Sequence, residues 1–179
     1  MNGQGKRMRR AGRKVLAPLG IAALVLAAGA TAWAAVDRPT PSGLPVPRYV
    51  SLKFGEVNAR AGPGDDHRLL WVYQVRGLPV QVVAETAEWR RVCDPEGGLA
   101  WVHKRTTDGR RMVMNVRAAP TPLHNSPKDT SHVKALLNSR AIAALDRCGK
   151  GWCRVKVDGV AGWAPAGRLW GTAEAAQCR

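Results

Sequence analysis

Glu88-Trp89-Arg90-Arg91-Val92 followed by Gly98-Leu99-Ala100-Trp101-Val102 returns later in the chain as Gly151-Trp152-Cys153-Arg154-Val155 followed by Val160-Ala161-Gly162-Trp163-Ala164. The tryptophan offsets are 152 − 89 = 63 and 163 − 101 = 62, so a unit of about sixty residues is repeated with almost no drift. In each unit short apolar stretches are interrupted by Gly, Pro, Asn and Asp, the pattern of strands joined by tight turns. Each unit reads as a small all-β barrel with its own core, and two in tandem suggest a binding module.

The remaining strands are placed outward from those hairpins. In the first unit, residues 49–54 are the opening strand and residues 57–66 a polar loop punctuated by Gly62-Pro63-Gly64. Residues 69–75 and 79–83 are strands separated by Arg76-Gly77, residues 89–93 and 99–103 form a hairpin, and Met112-Val113-Met114 closes the unit. In the second unit, residues 123–129 replace the Gly-Pro-Gly loop, and residues 133–137 and 141–145 are strands. Residues 152–157 pair with 160–164 through Asp158-Gly159, a strong hairpin signal because both residues tolerate positive φ. No stretch after residue 47 sustains a helical period, so helix is expected to be nearly absent. The expected divisions are a targeting segment (1–34), a Pro-rich linker (35–47), two barrels (48–114 and 115–172) and a tail (173–179).

Lys6, Arg7, Arg9, Arg10, Arg13 and Lys14 precede an uncharged apolar stretch over residues 15–35, and Ala32-Trp33-Ala34 supplies a small-x-small cleavage pattern. The segment is read as a cleaved secretory signal that sends the chain to the periplasm or outside the cell. The alternative is an uncleaved inner-membrane anchor over residues 15–35 with the folded part facing the periplasm. The formal charge of +15 falls, without those six basic residues, to 28 − 6 = 22 basic against 13 acidic, or +9. Residues 48–114 carry 11 basic and 8 acidic residues, whereas residues 115–179 carry 10 and 4. A basic second unit outside the membrane favours anionic polymers or anionic lipid headgroups, and export argues against nucleic acid.

Four cysteines in an exported chain read as two disulfides, with three possible connectivities. Cys148 and Cys153 flank a four-residue loop between two paired strands, a spacing that can set them opposite each other. Cys93 and Cys178 are the pair left over, and either bridge or stay free. His67, His103, His124 and His132 are scattered, so no metal site is expected. No cofactor is expected either. Cys93 lies in a strand without a helix N-terminus or adjacent His to activate its thiol, so no catalytic residue is assigned.

Val57-Asn58-Ala59-Arg60-Ala61-Gly62-Pro63-Gly64, Gly77-Leu78-Pro79-Val80, Glu88-Trp89-Arg90-Arg91-Val92 and Ala100-Trp101-Val102 together resemble the bacterial SH3 (SH3b-like) domain. Tandem copies behind a signal peptide are similar to exported SH3-domain proteins of proteobacteria. The second copy there carries a Cys-x-x-x-Trp-Cys-Arg-Val element ending in Leu-Trp-Gly, matched here by residues 148–155 and Leu169-Trp170-Gly171. The resemblance covers residues 48–172. It implies five- or six-stranded barrels and attachment to cell-wall peptidoglycan or its stem peptides. On that reading the protein is a noncatalytic binder of peptidoglycan or another envelope component. The alternatives are a protein–protein adaptor in the envelope, membrane-tethered or free, and an accessory part of a cell-wall hydrolase system.

Trp89, Trp101, Trp152 and Trp163 are read as core fillers, the alternative being that some of them line a surface groove for a peptide or sugar. The candidate ligand groove lies in the first unit, where Asn58, Arg60 and Asp65 of the loop are expected beside Trp71 and Tyr73, which share one face of a strand. Gly62 and Gly64 would let backbone amides approach a ligand, and Arg60 offers a planar fork for a stem-peptide carboxylate. The second unit lacks Asn-x-Arg and Gly-Pro-Gly, so no ligand role is expected of its loop.

Overall fold

Asp158 and Gly159 both take positive φ, 47° and 81°, as a two-residue hairpin turn between right-twisted strands requires. Lys150 and Gly151 do the same at 51° and 79°, turning the strand pair that carries Cys148 and Cys153. These turns belong to a computed structural model that describes residues 40–178. The readings of residues 1–35 as signal or anchor lie outside the described residues. Among the described residues no helix is long and apolar enough to cross a membrane.

The first sheet comprises β1 (Arg48–Leu52), β2 (Val57–Arg60), β3 (Leu69–Tyr73), β4 (Pro79–Glu85), β5 (Trp89–Cys93), β6 (Leu99–His103) and β7 (Thr107–Asp108), in the order β3-β2-β6-β5-β4-β1-β7. The second comprises β8 (Met112–Asn115), β9 (Thr121–His124), β10 (Val133–Leu137), β11 (Ile142–Gly149), β12 (Trp152–Val157), β13 (Val160–Pro165) and β14 (Leu169–Trp170), in the order β10-β9-β13-β12-β11-β8-β14. Adding seven to each label turns one order into the other, so the repeat in sequence is a repeat in topology. The described residues are all-β, with only single 3₁₀ turns at Lys104–Thr106 and Ala166–Arg168.

Two placements differ from the sequence reading. Val57–Arg60 is a strand, pairing with β3 and β6, and the loop begins only after it. Met112–Asn115 opens the second sheet instead of closing the first, pairing with β11 and β14. Its composition is that of any short strand; only its partners tell which barrel it serves.

The core residues alternate along the strands, apart from register shifts in the β2–β3, β4–β5, β9–β10 and β11–β12 pairs. Val80 and Val82 of β4, Val92 of β5 and Val102 of β6 are fully shielded, as are Val113, Leu123 and Val155 in the second barrel. Burying each such side chain contributes about 1.5–3 kcal/mol. Of the hairpin tryptophans, Trp89 is buried beside His103, whereas Trp101, Trp152 and Trp163 are only half-buried and do not fill these cores. Trp101 stands between buried Ala100 and Val102, so the period of two points it away from them. Trp163 between Gly162 and Ala164, and Trp152 beside Cys153, have the same parity. Aliphatic residues dominate both cores, and Trp101, Trp152 and Trp163 stand half-buried on the outer faces.

The same alternation explains how the barrels join. Tyr49 and Ser51 point out of the first core, yet they are buried because the second barrel covers them. Ser51 Oγ donates to the Arg110 carbonyl at 2.7 Å, Tyr49 meets Trp170 edge-on, and Trp170 Nε1 donates to the Pro79 carbonyl at 2.8 Å. Met114 joins the first core while its neighbour Val113 faces the second. The C-terminal tail then crosses back. Gln81 Nε2 donates to the Ala175 carbonyl, the Gln177 amide donates to Gln81 Oε1, and Cys178 is bonded to Cys93. Cys148 and Cys153 are register partners on β11 and β12 and form the second disulfide. Both barrels thus lie in one compact unit.

Candidate functional site

Strand β2 buries Val57 and Ala59 and turns Asn58 and Arg60 outward. These two side chains, with Asp65 from the following loop, line a cleft of about 240 Å³ completed by Glu56, Trp89, His103 and Arg105. Trp89 and His103 are register partners on β5 and β6, and their rings lie 5.2 Å apart. His103 Nδ1 accepts from the Arg105 amide at 3.2 Å, which places the proton of the neutral ring on Nε2. Nε2 lies 3.9 Å from the Glu88 carboxylate. A hydrogen bond from Lys104 holds that carboxyl below its usual range. The cleft therefore offers an aromatic wall, two guanidinium groups and two carboxylates. Such a surface suits a ligand carrying charges of both signs on a partly apolar frame.

Of the residues expected to form the groove, Asn58, Arg60 and Asp65 come together, whereas Trp71 and Tyr73 do not join them. Trp71 is the register partner of Ala59, the inward residue between Asn58 and Arg60. One step of parity sends it to the other face of the sheet, where it packs against the first core. Tyr73 is buried, and its hydroxyl donates to Asp94 Oδ2 at 2.9 Å. Burial, with the Asp94 carboxylate next to it, drives the phenol far above its ordinary pKa. The opposite oxygen, Asp94 Oδ1, accepts from the amides of Glu96 and Gly98 at 3.0 and 2.7 Å. Tyr73 thus fastens the β5–β6 turn.

Arg60 is also partly committed. Its Nη1 donates to the His67 carbonyl at 2.9 Å and its Nη2 lies 3.5 Å from Asp65 Oδ1, so the guanidinium closes its own loop before it meets a ligand. Gly62 serves packing and not ligand approach: a Cβ there would sit 2.6 Å from the His67 ring. Neither Gly62 nor Gly64 takes positive φ.

The corresponding loop of the second barrel follows the same path on different residues. His124 pairs with Trp163 as Arg60 pairs with Trp101, and His124 Nδ1 lies 2.8 Å from the Ser131 carbonyl, seven residues on, as Arg60 reaches that of His67. Backbone bonds Ala61 to Arg68 and Gly64 to Gly62 have counterparts in Asn125 to His132 and Lys128 to Ser126. His124 stacks edge-on against Trp152, the counterpart of Trp89. The loss of Gly-Pro-Gly therefore alters the lining and leaves the loop's path unchanged.

Sequence reasoning missed Trp89, His103 and Arg105. Parity was the available signal: with Val92 and Val102 inward, Trp89 and His103 fall on the outer face as a cross-strand pair.

The bacterial SH3 domain family model matches residues 53–109 and again residues 113–171, more than half of the chain, and the protein belongs to that family. Two solved structures are similar. NlpC2 from Trichomonas vaginalis aligns over 69% of this chain and 48% of its own length at 13% identity, with a TM-score of 0.32. NlpC1 from the same organism aligns over 69% and 45% at 14% identity, with a TM-score of 0.31. The chain spans about half the length of each. Comparison with curated proteins gives no match.

Proposed function

We propose that this tandem bacterial SH3 protein is an exported, noncatalytic binder of the cell envelope, whose first barrel takes stem peptides of peptidoglycan in the Trp89–Arg105 cleft. The observation that carries the reading is the lining of that cleft, where Arg60 and Arg105 stand with Glu56 and Asp65 around an indole. Short peptides bearing both ammonium and carboxylate groups match it. Two disulfides, in a chain that begins with a basic and then an apolar stretch, suit an oxidising compartment outside the cytoplasm.

The test is co-sedimentation of the protein with purified sacculi, at low and moderate salt, with free stem peptide as competitor. Trp89→Ala and Arg105→Ala are each expected to weaken retention about fivefold or more, a loss above roughly 1 kcal/mol. Retention equal to that of the unmodified protein in both variants overturns the assignment of this cleft. A second reading, an envelope adaptor for another protein, is favoured by the exposed apolar side chains Leu69 and Val72 on edge strand β3 and Leu136 on edge strand β10. Absence of retention on purified sacculi, together with association with an envelope protein that Leu136→Lys abolishes and Trp89→Ala leaves intact, would select it.

A further inference from the structure

A second recess, of about 600 Å³, opens between the two barrels and belongs to neither repeat alone. Its lining includes Arg48 and Tyr49 from β1, Arg111 just before β8, Asp146 and Arg147 from β11, and Glu174 of the tail. The three guanidinium groups are not equivalent. Arg48 is paired with Glu85. Arg147 lies over the Trp163 ring at 5.4 Å and pairs with Asp146, which also accepts from Arg154 at 2.9 Å. Arg111 lies over the Tyr49 ring at 5.9 Å and donates from Nη2 to the Gly171 carbonyl at 3.1 Å. Among the described residues Arg111 has no carboxylate within ion-pair distance.

We propose that the inter-barrel recess binds a carboxylate-bearing ligand through the fork of Arg111, with Arg147 beside it as a second, already neutralised donor. A guanidinium stacked on one ring and tied to one carbonyl is held in place, so little side-chain freedom is lost when it meets an anion. Its remaining N–H groups match the two oxygens of a carboxylate. Charge selects the anion class. One uncommitted positive group matches a single negative charge, while Asp146 and Glu174 in the same lining repel a dianion such as phosphate more strongly. Burial pushes the Tyr49 phenol up to about 12, so it adds no charge to the recess. The volume exceeds a carboxylate several times over. A peptide C-terminus and a sugar acid are both candidate sources of the group.

The test titrates the full chain, disulfides intact and labelled with ¹⁵N, while following backbone amides and arginine Nε–Hε resonances. The probes are N-acetylalanine, glucuronate, uncharged N-acetylalaninamide and inorganic phosphate. Saturable shifts at Arg111 and Gly171 with at least one carboxylate are expected, and which of the two binds tighter identifies the source. The amide should leave these resonances unmoved, and phosphate should bind about fivefold more weakly or worse. Arg111→Gln should weaken carboxylate binding about fivefold or more, and Arg111→Lys, which keeps the charge without the fork, should weaken it measurably. Non-saturating shifts with both carboxylates, an equal response to phosphate or to the amide, or unchanged binding by Arg111→Gln each overturn the proposal. So do shifts confined to Trp89 and Arg105, which would place the carboxylate in the first-barrel cleft. The proposal does not rest on sacculus binding, because Trp89→Ala leaves this recess intact.

Discussion

Glu85 shows how one residue ties the chain preceding the first barrel to it. Its side chain is 2% exposed, and burial alone raises its pKa. Hydrogen bonds from the Ser42 hydroxyl and amide and from the Arg48 guanidinium outweigh that and hold the carboxyl at about 2. Because the folded value lies below the ordinary 4.5, the added stability is present above that pH and is lost as pH falls toward 2. A shift of this size corresponds to about 3 kcal/mol near neutral pH. Urea unfolding of Glu85→Gln should therefore show its full loss near pH 7 and a gap that narrows progressively from about pH 5 down to about pH 2. A pH-independent gap would show that the carboxylate charge is not the source. Tyr73 makes a separate case. Tyr73→Phe leaves the Asp94 carboxylate one donor short and should lower stability by about 2 kcal/mol without reducing retention on sacculi. Weakened retention with unchanged stability would restore Tyr73 to the ligand site. Sequence could place Tyr73 on a strand; it could not show that a turn residue twenty-one positions away occupies the hydroxyl.

At the scale of elements, the two loops after β2 and β9 share their hydrogen bonds and differ in their packing. Gly62 corresponds to Ser126, and His67 to Ser131, so the first loop combines no side chain with a large ring and the second combines two small side chains. The Cβ of Gly62→Ala would meet three atoms of the imidazole at 2.6 Å. Overpacking of that kind costs about 1–3 kcal/mol. His67→Ser should recover most of it, giving a coupling of about 1 kcal/mol or more in a double-mutant cycle. Additive effects would mean that the glycine is there for another reason. Gly64→Ala meets the movable end of Asp66 and should cost less than Gly62→Ala. Much at this scale was legible. The Trp spacing and Asp158-Gly159 located both hairpins, and β5, β6, β10 and β12 have the bounds read from sequence. Strand partnership was not legible. Nothing within Met112-Val113-Met114 says that Val113 faces one core and Met114 the other. Trp89 is buried as its size suggests, but beside His103 on the outer face; weighing size before parity hid that pair from the candidate site.

Across the whole molecule, the repeated units do not behave as beads on a string, and the residues responsible lie where no repeat would reveal them. Gln81 and Cys93 are register partners on the outer side of β4 and β5, and both are fully shielded because residues 175–178 lie over them. The disulfides consequently differ in reach. Cys148–Cys153 closes a separation of 5 residues within one hairpin, whereas Cys93–Cys178 closes one of 85 and spans both barrels. On the loop-entropy account the short bridge stabilises by about 2 kcal/mol and the long one by about 4.5 kcal/mol. Cys178→Ser should therefore lower the free energy of unfolding by about 2 kcal/mol more than Cys148→Ser. It should also weaken the coupling between barrels, since the contacts of Ser51, Met114, Trp170 and Gln81 then act without a covalent tie. The unmodified protein is expected to unfold in one transition followed by both near-ultraviolet and far-ultraviolet circular dichroism. Cys178→Ser combined with Trp170→Ala should separate the two probes into distinct midpoints as the barrels unfold one after the other. Coincident midpoints in that double variant, with equal losses for the two cysteine variants, would mean that the Met114 and Ser51 contacts suffice to join the barrels and that the tail merely lies against them.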